Sequence, residues 1–324
     1  MPAKQSVAEK GAIGLIGAGT FTGAVLLPAL KKKGAAVQVI ASRGGLSAAS
    51  LAQKFNIPQV TTDDGSILAD TDIHSIFITT QHQQHAPMVI AALNAGKHVF
   101  VEKPLAIDTA GLEGVIEAYK KSSAQLYVGF NRRFAPLAVK MNALLQDAAG
   151  PLNIIMTVNA GALPEKHWLH QPESGGRLIG EACHFIDLGI YLAGSFVTGV
   201  CASAIHEGDA SILLRFENGS NAVINYFTNG SKAYDKERIE VYSDGRTLIL
   251  ENWKKLRGFG FKQFSVQSAA QDKGHQAQFS QVIDHIGAGT ALIPFEALVN
   301  SAAATIAIPE SIRTAAWINI PKPL

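Results

Sequence analysis

Apolar runs rich in β-branched residues alternate with amphipathic stretches through the first 130 residues of the chain. The short runs are typical of buried strands, and stretches such as 83–94 and 109–121 have the spacing of helices. Alternation of strand and helix predicts βαβ units and a parallel sheet. The predicted strands are 12–16, 37–41, 75–79, 98–101 and 126–128.

After about residue 150, strands follow one another without intervening helices. Asn218-Gly219 and Asp244-Gly245 each separate two such runs, which is typical of antiparallel hairpins. Helices are predicted near 181–192, 276–286 and 297–307. We therefore expect an α/β protein with a parallel-sheet domain over residues 1–128 and an α+β domain over 129–324. The second domain is expected to have a mostly antiparallel, open sheet.

Charge and composition exclude several classes of protein. The 324 residues carry 28 Lys and Arg against 26 Asp and Glu, a balance that argues against a nucleic-acid partner. No apolar run reaches the roughly 18 residues of a membrane span, and the polar segment 1–10 lacks the core of a secretory signal. The two cysteines provide no disulfide framework, so a cytoplasmic location is expected.

Residues 11–22 are typical of a strand that enters a glycine-rich turn and then a helix. Gly17 permits the tight turn, and Gly19 lets a pyrophosphate approach the backbone. Thr20 and Phe21 begin the helix, whose N-terminus offers amide donors. Thr22 stands where the dinucleotide fingerprint normally has Gly or Ala. The context predicts dinucleotide binding in a Rossmann domain, with a purely structural glycine turn as the alternative.

The end of the second predicted strand bears on the choice of coenzyme. An NAD site usually has an acid here for the ribose 2′-hydroxyl, but the chain has Ser42 and Arg43. These side chains suit a 2′-phosphate, which favours NADP or use of both coenzymes. The alternative is that Arg43 is a solvated loop residue. The expected cofactor is therefore NADP or NAD.

Four ordered segments carry a family resemblance over nearly the whole chain. Residues 95–105, with Glu102-Lys103-Pro104, resemble the AGKHV–EKP motif of the glucose–fructose oxidoreductase / inositol dehydrogenase (Gfo/Idh/MocA) family. Residues 79–85 resemble its fourth-strand segment, 129–136 its entry to the second domain, and 175–187 its catalytic helix. The likeness is greatest to a branch often fused to a zinc-alcohol-dehydrogenase-like half.

The resemblance implies an N-terminal NAD(P)-binding Rossmann domain and a C-terminal domain that binds substrate and forms a homodimer or homotetramer. It also implies NAD(P)-dependent oxidation or reduction of a sugar, sugar acid, sugar nucleotide or polyol. Lys103 and His184 are expected to face the nicotinamide. The further expected coenzyme contacts are Thr79, Thr80, Gln81, His82, His85 and Glu102.

Hydride transfer at a carbinol carbon requires a proton relay and a positive group near one oxygen. An imidazole suits the relay, and Lys103 can hold the oxygen or act as acid and base. Glu181, His184 and Asp187 recur every three residues on one helix face. Many family members have Asp four residues before the histidine; here that position is Gly180, so Glu181 takes that role or the relay differs. Asp187 is expected to orient the imidazole, with a buried helix cap or ion pair as the alternative.

Polar and aromatic residues near the domain junction are candidate substrate contacts: Arg132, Arg133, His167, Trp168 and Arg177. Arginines would suit an anionic substrate; the alternative is that several form interdomain salt bridges. A metal site is not expected, because a di-iron centre needs two Glu-x-x-His helices and only one is present.

Two other functions remain open from the sequence. Some relatives oxidise a sugar only transiently to cleave a glycosidic bond, so that the coenzyme is regenerated. A ligand sensor without activity would be marked by loss of Lys103 or His184, and both are present.

Overall fold

A computed structural model describes residues 12–147, 150–206 and 208–322, so the polar segment 1–10 lies outside the described residues. The helices are α1 (Leu27–Lys33), α2 (Leu46–Phe55), α3 (Asp64–Ala69), α4 (His85–Asn94), α5 (Thr109–Lys121), α6 (Pro136–Leu145), α7 (Cys183–Ala193), α8 (His275–Ala288) and α9 (Phe295–Thr314). The strands are β1 (Ala12–Ile16), β2 (Val37–Ala41), β3 (Gln59–Thr61), β4 (Ile73–Ile78), β5 (His98–Val101), β6 (Leu126–Val128), β7 (Asn153–Asn159), β8 (Val197–His206), β9 (Asp209–Phe216), β10 (Asn221–Phe227), β11 (Glu237–Ser243), β12 (Arg246–Glu251), β13 (Lys255–Phe259), β14 (Val266–Ser268) and β15 (Ile318–Asn319).

The first sheet has the order β3-β2-β1-β4-β5-β6, and all its described pairs are parallel. Its central strands are continuously apolar because helices cover both faces of a doubly wound sheet. Strand order reverses direction at the boundary between β1 and β4, the place where such sheets bind ligands. The predicted parallel sheet is confirmed. The short β3 and α3 were not predicted, since three to six residues give little periodic signal.

The second sheet has the order β14-β13-β12-β11-β7-β10-β9-β8-β15. Its described pairs are antiparallel except that of β7 with β10. Both predicted hairpins, β9–β10 and β11–β12, are confirmed. Burial alternates along β10, where Ala222, Ile224 and Tyr226 are fully buried, which is typical of a strand with one face on a core.

The chain divides into two compact units. The first contains the described residues up to 106, together with 110–129 and 275–295; the second contains 107–109, 130–274 and the residues from 296 onward. Sequence alone placed every residue after 128 in the second domain. Residues 275–295 pack in the first unit because α8 adds Phe279, Val282 and Ile286 to its core. The Gln278 side chain also donates to the Val128 carbonyl.

The helix after the glycine turn has one wide turn of the π type over Thr22–Leu26. Pro28 explains it, because proline lacks the amide for a bond to residue 24 and its ring would collide with that carbonyl. The Leu27 amide instead donates to the Thr22 carbonyl, five residues back. A second wide turn, Leu178–Ala182, precedes α7. Within the described residues, no helix is both long and apolar enough to cross a bilayer.

Candidate active site

The glycine turn lies at the carboxyl edge of the first sheet. Gly17 follows β1 with a φ of 112°, a conformation that side chains rarely adopt. A Cβ there would lie 2.7 Å from the Thr79 carbonyl carbon. The Thr22 hydroxyl, which is buried, contacts the Gly17 carbonyl at 3.1 Å and the Thr79 hydroxyl at 2.8 Å. Threonine at the third fingerprint position is therefore accommodated by hydrogen bonds that tie the turn to the end of β4.

Gly19 differs from Gly17, because no protein atom lies within 4 Å of where its Cβ would be. The protein itself does not require glycine at this position, but a group resting against the backbone would. The helix begins at the next residue, Thr20, so its free amide groups lie beside this open space. The Phe21 ring packs on Phe279 of the first unit's core. The backbone of Phe21 belongs to the first turn of the helix. This cradle fits a pyrophosphate.

Ser42 and Arg43 follow β2, at the same edge of the sheet. Arg43 is exposed, and its charge lowers the pKa of Asp64, although burial and Asp63 raise that pKa overall. The Ser47 hydroxyl lies 3.2 Å from that of Ser42, so two hydroxyls and one guanidinium are available here.

The segment after β4 carries Thr80, Gln81, His82 and His85. The two histidine rings meet edge to face with centroids 5.8 Å apart, and Gln81 is exposed. His85 is buried, with Nδ1 2.7 Å from the Pro104 carbonyl and Nε2 3.1 Å from the Thr80 carbonyl. Burial lowers the pKa of His85 to about 4, so the ring is neutral and supports the turn that follows Lys103.

Glu102 and Lys103 directly follow β5. A Cβ on Gly129, at the end of β6, would lie 2.8 Å from the Glu102 carboxyl carbon, so this carboxylate lies against the neighbouring strand end. The Lys103–Pro104 peptide bond is cis. Lys103 is half-buried, and its charge contributes to the lowered pKa of His85. The first unit therefore places a half-buried lysine at the edge of the sheet that carries the glycine turn.

In the second unit, the wide turn and α7 carry Glu181, His184 and Asp187. The Glu181 carboxylate accepts from the Tyr226 hydroxyl and, at 3.2 Å, from Arg177. Burial and the adjacent carboxylate raise the pKa of Tyr226, so its phenol stays protonated. His184 is largely buried, with the Phe130 ring edge-on at 6.4 Å. Sequence reasoning missed Tyr226; the available signal was a tyrosine at an inward-facing position of a strand.

Arg132 and Arg133 form ion pairs within the second unit. Arg133 binds both carboxylate oxygens of Asp187, at 2.5 and 2.9 Å, and Asp187 is fully buried. Arg132 binds both oxygens of Glu237, and its guanidinium lies 4.8 Å from the Phe185 ring centroid. Both arginines thus contact α7 just after His184, Arg132 at Phe185 and Arg133 at Asp187.

Glu237 is the centre of a buried polar network. It also accepts from Lys273 and Trp253, each at 2.7 Å. Burial alone would raise the pKa of Glu237, but Arg132 and Lys273 outweigh it and lower the pKa to about 2.

His167 and Trp168 lie in the segment between β7 and α7, both half-buried, with ring centroids 5.9 Å apart. Arg177 is buried, with its Nη1 on the Gly161 carbonyl at 2.6 Å. The structure therefore groups Arg177 with Glu181 and Tyr226. In the described part of the chain, no three His, Cys, Asp or Glu side chains are placed to hold a metal ion.

A doubly wound parallel sheet with an open glycine cradle at its carboxyl edge defines a dinucleotide-binding protein of the Rossmann class. Residues 12–130 match the family model described as "Oxidoreductase family, NAD-binding Rossmann fold". The chain belongs to the Gfo/Idh/MocA oxidoreductase family, and the expectation of a nicotinamide dinucleotide cofactor is confirmed.

Named relatives of the chain include dehydrogenases of different substrates. The chain is 34% identical over 220 residues to a 4-carboxy-2-hydroxymuconate-6-semialdehyde dehydrogenase of Sphingobium sp. The match covers 64% of this chain and 69% of that protein. The chain is 28% identical to a myo-inositol 2-dehydrogenase of Thermotoga maritima, covering 62% and 63%. The chain spans about three fifths of the length of the first curated relatives that it matches.

Among solved structures, a levoglucosan dehydrogenase in complex with NADH and levoglucosan matches with a TM-score of 0.84 at 25% identity. The match covers 96% of this chain and 99% of the other. The predicted fold class is confirmed. The likeness to the branch often fused to a zinc-alcohol-dehydrogenase-like half stays a prediction.

Proposed function

We propose that the protein transfers a hydride between NAD(P) and a hydroxyl-bearing carbon of an uncharged sugar or polyol. The observation that carries the proposal is the open space beside Gly19 at the sheet edge that also bears Lys103. The relatives named for myo-inositol and levoglucosan act on polyhydroxylated rings and support this class of substrate.

The first unit's residues would hold the coenzyme. The backbone at Gly17, Gly19 and Thr20 suits the pyrophosphate, and the helix N-terminus adds amide donors there. Ser42 and Arg43 suit the 2′ position of the adenosine ribose, whether it bears a hydroxyl or a phosphate. When bound, the coenzyme supplies the hydride acceptor or donor. His85 supports the turn after Lys103, because its single ring N–H can donate to the Pro104 carbonyl or to the Thr80 carbonyl.

Lys103 and His184 are proposed to take part in proton transfer to and from the substrate oxygen. An ammonium stabilises charge that develops on the substrate oxygen, and an imidazole exchanges its proton near neutral pH. The Glu181 carboxylate accepts hydrogen bonds from Arg177 and from the Tyr226 hydroxyl. It is therefore proposed to act as an anion that orients its neighbours. Asp187 is proposed to position α7 through Arg133.

Charge pairing favours an uncharged substrate. Each arginine that sequence reasoning assigned to an anionic substrate has a carboxylate partner in the second unit: Arg132 with Glu237, Arg133 with Asp187 and Arg177 with Glu181. A guanidinium whose charge is already paired with a carboxylate attracts a second anion less strongly.

Assembly into a homodimer or homotetramer is part of the proposal. One face of the second sheet leaves Ile155, Leu213 and Tyr242 between 37% and 40% exposed, which suits contact with a second copy. Sedimentation at micromolar concentration tests this, and a monomer would refute it.

A coenzyme-coupled screen tests the function. Calorimetry compares the binding of NAD with that of NADP. Nicotinamide absorbance then follows the turnover of cyclic polyols and anhydrosugars, with uronic acids as the anionic comparison. We expect turnover that depends on an added neutral sugar or polyol. Sugar cleavage without net change in coenzyme would favour the transient-oxidation mechanism. Ligand binding without any chemistry would favour a sensor.

A further inference from the structure

A segment of irregular structure connects the second unit's sheet to its helix of candidate catalytic residues. Strand β7 ends at Asn159, and the helical segment that carries Glu181 and His184 begins at Gly176. Residues 162–174 contain only two short 3₁₀ turns, Trp168–His170 and Pro172–Ser174. Connections this long are uncommon in compact domains and are usually functional.

Glycines in the left-handed region bound this segment at both ends. Gly161 has a φ of 74°, Gly175 of 76° and Gly176 of 72°. Glycine adopts such angles without the steric cost of a Cβ, so the backbone can reverse at both ends of the segment. The segment is closed at its base, where its two ends come together.

Arg177 makes that closure. Its Nη1 donates to the Gly161 carbonyl at 2.6 Å, and its Nη2 donates to Glu181 at 3.2 Å. The guanidinium carbon lies 5.6 Å from the ring centroid of Tyr226, which itself donates to Glu181. One buried side chain therefore ties the start of the segment to its end and to the carboxylate three residues before His184.

Two aromatic rings of the segment lie next to a buried, hydrogen-bonded residue. Leu169 is buried, and the Ser174 hydroxyl donates to the Leu169 carbonyl at 2.9 Å. His167 and Trp168 stack at an angle of 30° and stay half-buried. Aromatic faces with nearby polar groups are suited to polyhydroxylated rings, which are apolar on one face and polar at the edge.

We propose that residues 162–174 are a substrate-recognition loop and that Arg177 is a positioning residue, which fixes this recognition loop relative to Glu181. The inference rests on the proposed function, because the sugar or polyol is the ligand that the loop would recognise. Arg177 acts through the loop and Glu181 rather than by touching the substrate.

A double-mutant cycle on KM tests the coupling, with Trp168→Ala, Arg177→Met and the double variant at saturating coenzyme. We expect Trp168→Ala to raise KM for the sugar about tenfold and Arg177→Met to raise it about tenfold. The KM of the double variant should also rise about tenfold, because both changes remove the same contact, that of the correctly positioned Trp168 ring with the sugar. Arg177→Lys should recover part of the affinity, since an ammonium can still donate to Gly161.

Arg215→Met is the matched control. Arg215 also lies over an aromatic ring, at 3.7 Å from the Trp317 centroid, but on β9 at the end opposite to the Ala210–Tyr226 pair. We expect its KM to equal that of the wild type. A double variant whose KM rises about 100-fold, the product of two independent effects, would overturn the coupling.

Limited proteolysis gives a readout that does not depend on activity. Lys166 is an exposed trypsin site within the recognition loop. Arg177→Met should speed cleavage after Lys166 at least about fivefold, because the loop loses its closure, whereas Arg215→Met should not. Unchanged cleavage would refute the positioning role. Absence of any coenzyme-linked turnover in the wild type would instead contradict the proposed function, and the two failures are therefore distinct.

Discussion

Replacing Glu237 by glutamine measures how strongly one buried carboxylate stabilises the second unit. Glu237 is fully buried and accepts hydrogen bonds from Arg132, Lys273 and Trp253. Glutamine keeps the size of the side chain but removes the charge. Two cations would then lack their buried anion.

The pKa of Glu237 gives the magnitude. A fall from 4.5 to about 2 on folding corresponds to about 3 kcal/mol, at about 1.4 kcal/mol per pKa unit. Breaking a buried ion pair by removing one partner typically costs about 3–5 kcal/mol, which agrees. We therefore expect Glu237→Gln to lower the free energy of unfolding by about 3 kcal/mol at pH 7.

The pH dependence has a definite sign. Because the folded-state pKa lies below the unfolded-state value, the contribution is complete above pH 4.5 and is lost as pH falls towards 2. The difference between wild type and Glu237→Gln should therefore be constant from neutral pH down to about 5 and shrink below that.

Urea unfolding followed by tryptophan fluorescence provides the assay. All three tryptophans, Trp168, Trp253 and Trp317, belong to the second unit, so the signal reports its unfolding. Glu240→Gln on the same strand is the matched control, because Glu240 forms a partly exposed pair with Arg238 and should contribute less than about 1 kcal/mol. A Glu237→Gln effect no larger than that of the control, or one independent of pH, would refute the reasoning.

Three further variants test coenzyme binding by the first unit and the contact between Glu181 and Tyr226 in the second. Gly17→Ala should weaken coenzyme binding at least about tenfold in calorimetry, because its φ of 112° and the Thr79 backbone leave no room for a methyl; unchanged affinity would contradict this. Arg43→Ala should raise the Kd for NADP about tenfold and that for NAD less than about threefold; equal changes would exclude a role in 2′-phosphate binding. Tyr226→Phe should lower kcat, because the Glu181 carboxylate loses a hydrogen-bond donor; an unchanged kcat would rule out that link.

The first sheet and its glycine turn could be predicted from sequence because their signals are local. A continuous run of five residues without a polar side chain indicates a buried strand such as β1, and the fingerprint from Gly17 to Thr22 lies within six residues. The Asn-Gly and Asp-Gly turns likewise predicted both hairpins of the second sheet, which the strand pairing confirms. The family motifs then added Lys103 and His184, whose roles no local pattern could supply.

The partners of the buried charges could not be predicted. Arg132 and Glu237 are 105 residues apart in sequence, and Glu181 and Tyr226 are 45 apart. Composition and periodicity contain no information about which distant side chains meet. The same limit applies to α8, whose apolar face gives no indication of which unit it joins. Sequence reasoning consequently treated three arginines as candidate substrate contacts, where the structure gives each a carboxylate partner.

Turnover and coenzyme affinity of Lys103→Met, measured on the same preparation, test the central claim most directly. The claim is that this chain performs NAD(P)-linked hydride transfer and that the ammonium at the end of β5 stabilises charge on the substrate oxygen or moves the substrate proton. We predict that kcat falls at least about 100-fold while the coenzyme Kd changes less than about threefold. Near-normal turnover would contradict the account.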